Sequence, residues 1–159
     1  MDRRELLGAL GAAVGVASLA GVDARAADEP GHHHHTDKVH EDCLQACGQC
    51  ALSCNMTAHH CLDKLAEGQG SAKLHARAHA LAMDCQAFCV LSATMIARSS
   101  ELMAASCEAC AEACQRCAEA CEKAPQDDMM RDCVKKCREC EKSCREMARH
   151  MKADAGAAR

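Results

Sequence analysis

The chain has 159 residues, sixteen of them cysteine, with one Phe, no Tyr, no Trp and a formal net charge of -4. About one residue in ten is a thiol, which sets the chain apart from ordinary globular domains and makes cysteine the place to look for function. Without aromatic stacking platforms or a basic footprint the usual nucleic-acid-binding designs are excluded, and the length fits one domain.

Arg3 and Arg4 precede an uncharged run from Leu6 to Val22, closed by Ala24-Arg25-Ala26, which has the small-x-small form of a cleavage site. Residues 1–26 are read as an export signal, and Asp2-Arg3-Arg4-Glu5-Leu6-Leu7 resembles a twin-arginine signal. The run is short and rich in Gly and Ala for a membrane span, so the mature chain is expected to be exported to the periplasm and free of the membrane. Residues 27–36 form a tail carrying His32–His35, either a loose ligand for divalent metal or a solvated leader.

From there the strong breakers are Gly68-Gln69-Gly70-Ser71 and Pro125-Gln126-Asp127-Asp128, with a weaker Ser99-Ser100 between them. They delimit four segments of about 37–67, 71–98, 100–123 and 127–153, each dense in good helix formers and poor in β-branched residues. Thr36, Ser71, Ser99 or Ser100, and Asp127 or Asp128 suit the N-caps. Short connections predict an all-α, up-down-up-down four-helix bundle over 37–153, with 154–159 a disordered C-terminus.

Cysteine phase then decides what the bundle is for. The first helix carries Cys43, Cys47, Cys50, Cys54 and Cys61; the third, Cys107, Cys110, Cys114, Cys117 and Cys121; the fourth, Cys133, Cys137, Cys140 and Cys144, continued by Met147 and Met151. The second has only Cys85 and Cys89, preceded by His75, His79 and Ala82. Alternating steps of three and four trace the inward seam of a bundle helix, so thiols stand where Leu and Ile normally form the core. Few large aliphatic residues remain to fill it, and a bundle weak without its ligand follows.

Three chemistries compete for inward thiols. Disulfide stapling, in a structural or redox protein, suits an even number in an exported chain, but cysteines three and four apart on continuous helices fit disulfide geometry poorly. Inert filling does not account for sixteen thiols in an oxidising compartment. Soft-metal binding remains: zinc or cadmium, in a metallothionein-like buffer, needs separate tetrahedral sets, whereas Cu(I) accepts two or three thiolates that bridge neighbouring ions. Bridging allows a capacity approaching roughly one Cu(I) per cysteine, a storage stoichiometry. No nucleophile-base-orienter set and no Gly-rich phosphate loop is present, so a binding protein rather than an enzyme is expected.

The motifs Cys43-x-x-x-Cys47-x-x-Cys50-x-x-x-Cys54, Cys107-x-x-Cys110-x-x-x-Cys114-x-x-Cys117-x-x-x-Cys121 with Pro125 after it, and Cys133-x-x-x-Cys137-x-x-Cys140-x-x-x-Cys144 resemble the four-helix-bundle copper storage proteins over about Val39 to Met151. The export signal is similar to that of the family's twin-arginine members. The resemblance implies many Cu(I) ions inside each protomer, a homotetramer, and a mouth of Met and His where copper is admitted; a copper-requiring protein is a candidate acceptor. In an up-down-up-down bundle the first and third connections share one end, which gathers Met56, His60, His75, His79, Met129 and Met130. The opposite end collects His40, Met95, Met103, Met147 and Met151. Methionine there is commonly gap-filling core, with Met147 and Met151 the exceptions because they continue the seam.

Overall fold

The computed structural model describes residues 37–157, so the segment expected to be an export signal (1–26) and the His-containing segment 27–36 lie outside the described residues. Four helices account for most of these residues: α1 (Lys38–Ala66), α2 (Ala72–Ala97), α3 (Met103–Lys123) and α4 (Asp128–Ala157). Helix α4 runs four residues past the expected end at Ala153, into the segment expected to be disordered.

Several helix ends satisfy their orphan backbone groups locally, although the cap residues of α2 and α3, Ser71 and Leu102, make no side-chain cap bond. Asp37, rather than Thr36, caps α1, its Oδ1 accepting from the His40 N–H at 3.1 Å. At the other end of α1, Gly68 takes a positive φ of 65°, and the Gly68 and Gln69 N–H groups donate to the Leu65 and Lys64 carbonyls. This paired closure is a Schellman motif. Helix α2 ends the same way, but the left-handed residue is Ser99, at φ 50°, with Ser99 and Ser100 donating to Ile96 and Met95. Ser99 therefore terminates α2, while Ser100 opens the turn into α3, its Oγ accepting from the Leu102 N–H at 3.3 Å and its carbonyl from the Met103 N–H at 3.0 Å; α3 itself begins at Met103, after Leu102. Gln126 closes α3 by donating from Nε2 to the Cys121 and Ala124 carbonyls at 2.7 and 2.8 Å. Asp127 starts α4 by accepting from the Met130 N–H at 3.0 Å.

Helices adjacent in sequence are adjacent in space, and α4 returns to α1, closing a four-membered ring of antiparallel neighbours. Backbones of the diagonal pairs, α1 with α3 and α2 with α4, stay apart. What occupies the axis between them is sulfur. All sixteen cysteines are free and at 0% exposure, and beyond Cys and Ala the fully buried large side chains are few, led by Ile96, Met130 and Met147.

The outer surface is divided. Helices α3 and α4 carry ion pairs, among them Arg138 with Glu122 and Glu141 at 3.0 Å, and Lys152 with Glu108. Such exposed pairs add about 0–1 kcal/mol each. Helix α2 carries none among the described residues and exposes Met83, Phe88, Val90 and Leu91, while α1 mixes exposed Leu44 and Leu52 with pairs such as Lys38 to Asp42. Helix α2 is long and apolar enough to match a membrane span in length and composition, and most of it is not buried.

Candidate metal centre

The seam predicted from cysteine phase is the buried face of every helix, with two corrections. On α2 the buried series is His75, Ala78, Ala82, Cys85, Cys89, Ser92 and Ile96, an unbroken alternation of three and four. His79 is therefore beside the seam, not in it, and Ala78 holds the position expected for it. On α1 the seven-residue step between Cys54 and Cys61 is filled by Thr57, three residues after one and four before the other. Thr57 is fully buried and its Oγ1 has no hydrogen-bond partner, an isolated oxygen in a sulfur-lined core.

Fourteen sulfurs form one connected network with Sγ···Sγ distances of 3.5–4.0 Å. Cys107, hydrogen-bonded to Cys43 and Cys144, extends one end, and Cys61 stands off the other, close enough to feel the charge of Cys133. Within a helix the close pairs are four apart: Cys50 with Cys54, Cys85 with Cys89, Cys110 with Cys114, Cys133 with Cys137 and Cys140 with Cys144, at 3.8–4.0 Å. Spacing of four places two side chains over one another on the same face. The network also crosses the axis, joining diagonal helices through Cys50 to Cys114 at 3.9 Å, Cys54 to Cys117 at 4.0 Å and Cys89 to Cys140 at 3.9 Å.

Sets of four sulfurs within 4.8 Å of one another recur along the file, including Cys47, Cys110, Cys140 and Cys144, then Cys50, Cys85, Cys89 and Cys114, then Cys54, Cys117, Cys133 and Cys137. These three share no member, but two further sets, Cys89, Cys110, Cys114 and Cys140, and Cys50, Cys54, Cys85 and Cys137, overlap them and link each to the next. Shared corners suit an ion that accepts bridging thiolates and disfavour separate tetrahedral sites, each of which would claim four thiols for itself.

Electrostatics couples this core to its cargo. A thiolate at Cys50 is favoured by hydrogen bonds from its neighbours, Cys114 first and Cys137 next, which holds that thiol well below the ordinary range. Cys114 is pushed the other way, first through its hydrogen bond to Cys110. Cys61, lacking close sulfur partners, is pushed up to about 11 by burial and then by the charges of Cys133 and Asp127. Sulfurs at these spacings in a dry core cannot all be anionic unless cations separate them, so metal binding and deprotonation proceed together.

At the end formed by the α1–α2 and α3–α4 connections, Met130 is fully buried and His75 is 2% exposed, its Nδ1 without a partner. Burial, and then the nearby His60, lowers the His75 pKa, favouring the neutral ring that binds metal. A Cβ on Gly70 would stand 3.0 Å from Pro125 Cγ and 3.1 Å from His75 Nε2, so the two connections meet over that ring. His60 donates from Nε2 to Asp127 at 2.7 Å, and His79 from Nδ1 to the Ala58 carbonyl at 2.9 Å. Although burial opposes its charge, Asp127 is held below the usual carboxylate range by the Met130 N–H and His60. Met56 does not reach the core: it is 48% exposed and, with the half-buried Met129, lines an open cleft outside it. Outward placement follows from the helix period, since Thr57 and not Met56 takes the seam position. At the opposite end Met147 is fully buried and Met151 packs against the core from its edge.

A family profile described as Csp, copper storage protein, matches residues 36–149. The chain belongs to the copper storage protein family. No curated protein sequence matches it at significance. Among solved structures it is similar to the Cu(I)-bound copper storage protein BsCsp3, at 28% identity and TM-score 0.62, over 70% of this chain and 99% of that one. It is similar to the Nmul_A1745 protein from Nitrosospira multiformis, at 36% identity and TM-score 0.60, over 71% of this chain and 97% of the other. A double-histidine mutant of Streptomyces lividans Ccsp matches at 26% identity and TM-score 0.61, over 69% of this chain and 92% of that one. Copper storage, rather than catalysis, is the role its family implies, and its clustered cysteines are positioned to hold several metal ions.

Proposed function

We propose that this protein stores Cu(I) outside the cytoplasm as a chain of thiolate-bridged ions along the bundle axis, with capacity approaching roughly one ion per cysteine. The observation that carries this is the continuity of the network: fourteen sulfurs with no gap above 4.0 Å give every ion a neighbour with which to share a ligand. A zinc buffer uses the same atoms four at a time and leaves the bridging unused.

Copper is admitted at the His75 end. Met130 and the unpartnered His75 Nδ1 stand in the seam just beyond the outermost cysteines, and Met and His bind Cu(I) more weakly than bridging thiolates, which suits exchange. His60 and His79 hold fixed hydrogen bonds there, and Met129 and Met56 line the cleft outside. The exposed apolar side chains of α1 and α2 support assembly of protomers into a homotetramer with the mouths left free. Charged α3 and α4 surfaces then face solvent or an acceptor protein that requires copper. The paired arginines and cleavage pattern before Ala27 support export to the periplasm, where thiols left empty would oxidise.

Anoxic titration of the reduced protein with Cu(I), run beside Zn(II), tests the central claim. More than about ten Cu(I) per chain, displacing zinc, is expected, and about four or fewer tight Cu(I) would refute it. Replacing His75 with Ala is expected to slow loading severalfold while leaving final capacity unchanged; unchanged loading kinetics would move the mouth elsewhere. Residues 1–26 fused to a reporter, followed in strains with and without twin-arginine transport, test the export route.

A further inference from the structure

At the end of the bundle away from His75, a second group of metal-binding side chains lies outside the sulfur core. Asp37, at the start of α1, accepts hydrogen bonds from two imidazoles: His40 Nδ1 at 2.8 Å on Oδ1 and His150 Nε2 at 2.5 Å on Oδ2. The rings stand edge to face, with centroids 5.9 Å apart and planes at 81°. Asp154 Oδ2 lies 3.5 Å from the same His150 nitrogen. Asp37 Oδ1 also accepts the His40 N–H that caps the helix, at 3.1 Å, so Oδ2 is the less occupied oxygen. The His40 side chain is 14% exposed, that of His150 30% and that of Asp37 45%, so the cluster opens to solvent. Hydrogen bonds, from His40 first, hold the Asp37 carboxyl far below its usual range, and it is anionic at any physiological pH.

We propose that Asp37, His40 and His150 form a surface site for one divalent transition ion, Cu(II) or Zn(II), separate from the Cu(I) file. Two imidazoles and a carboxylate are borderline and hard donors, which favour these ions, while the thiolates of the core select Cu(I). Ligand bonds of about 2.0–2.2 Å put neighbouring donors about 3 Å apart around one ion. The two nitrogen–oxygen distances are a few tenths of an ångström shorter than that. An ion that displaces the two ring protons meets both imidazoles on one carboxylate, each ring already hydrogen-bonded to one of its oxygens. Asp154 or water completes the coordination. His40 and His150 come from the first turn of α1 and the last turns of α4, so the ion also ties the chain ends of the bundle together. Divalent copper held here is kept from the thiols of a protein in an oxidising compartment, which Cu(II) would otherwise oxidise.

The test uses the full mature chain loaded with Cu(I) to saturation, so that the cysteines are occupied, in a background with His32, His33, His34 and His35 changed to Ala. Equilibrium dialysis with Zn(II) is expected to give one ion per chain. Cu(II) bound in its place is expected to show nitrogen hyperfine structure from two imidazoles by electron paramagnetic resonance. Changing His40→Ala or His150→Ala is expected to weaken Zn(II) binding by at least about tenfold, while His59→Ala, whose ring pairs with Asp63 on one exposed face, leaves it unchanged. Asp37→Asn, which keeps the helix cap, gives the same loss should either alanine variant fold poorly. No Zn(II) bound in the background, or binding that survives both His40→Ala and His150→Ala, overturns the site and leaves a structural ion pair. Cu(I) capacity measured on the same samples reports the core independently, so failure of one reading is distinguishable from failure of the other.

Discussion

Cys50 is the sulfur on which the axial file turns. Its Sγ lies 3.8–3.9 Å from Cys54 on its own helix, Cys85 on α2, Cys114 on α3 and Cys137 on α4, so it touches all four helices. Changing Cys50→Ala deletes one sulfur without inserting an unsatisfied polar group, and the small void costs the apo fold about 1 kcal/mol. The cost in copper is larger than one ligand, because a bridging thiolate serves two ions: a loss of about two Cu(I) per chain is expected. Cys61 provides the comparison. It has no sulfur within 4.0 Å among the described pairs, and its thiol is pushed up to about 11, so Cys61→Ala is expected to cost about one Cu(I) or fewer. Anoxic titration against a chromophoric Cu(I) chelator, with metal and protein quantified on the same sample, reads both variants. Full capacity in Cys50→Ala, or a greater loss in Cys61→Ala, would refute the bridged network.

Four further outcomes follow from the same geometry. Thr57→Cys places a further thiol in the seam position that lacks one and is expected to raise capacity by about one Cu(I), read by the same titration. Loading is expected to release about one proton per Cu(I), measured by pH-stat, and bound copper should loosen as pH falls because protons compete for the same sulfurs. His75 is lowered from 6.5 in the fold by burial, so its contribution to apo stability is present above about pH 6.5 and lost as pH falls through the folded value; urea melts across this window should show a slope that His75→Gln removes. Saturation with Cu(I) is expected to raise Tm by more than about 10 °C, and an apo protein melting as high as the loaded one would contradict the coupling of fold to cargo.

Fold and core were legible because one signal served both. Alternating steps of three and four fix the helix face, and the same residues are the ligands, so Cys43 to Cys144 could be placed inward without any tertiary information. Where the signal was diluted, legibility dropped. On α2, with two cysteines, His79 and Ala78 are neighbours that both satisfy a loose three-or-four spacing, and packing chose Ala78 because a small side chain fits the crowded seam. Met56 failed for a related reason: its position next to the mouth in sequence is one residue out of phase with Thr57. Ser99 looked like a cap residue by composition, but it adopts the left-handed conformation that closes α2, a backbone state that residue type alone does not signal. The cluster of Asp37, His40 and His150 joins the two ends of the bundle sequence, and no local pattern brings them together.

An ordinary four-helix bundle separates its two tasks, with apolar side chains holding the helices together and a polar site added in one layer of the core. Here that division is absent. The seam positions that would carry Leu and Ile carry Cys and Ala, and among the described residues only Ile96, Met103, Met130 and Met147 remain as large apolar side chains buried in the core. Cysteine buries as a small hydrophobe, so the metal-free chain can still collapse along the right faces, with side-chain caps at Asp37 and Asp127 adding to the starts of α1 and α4. Each thiol lost to a larger aliphatic residue would strengthen the empty bundle and remove a ligand from the file. A sequence selected for capacity therefore accepts a thinner apolar core, and the metal supplies the cross-axis bonds that neither Ala nor the separated diagonal helices can make.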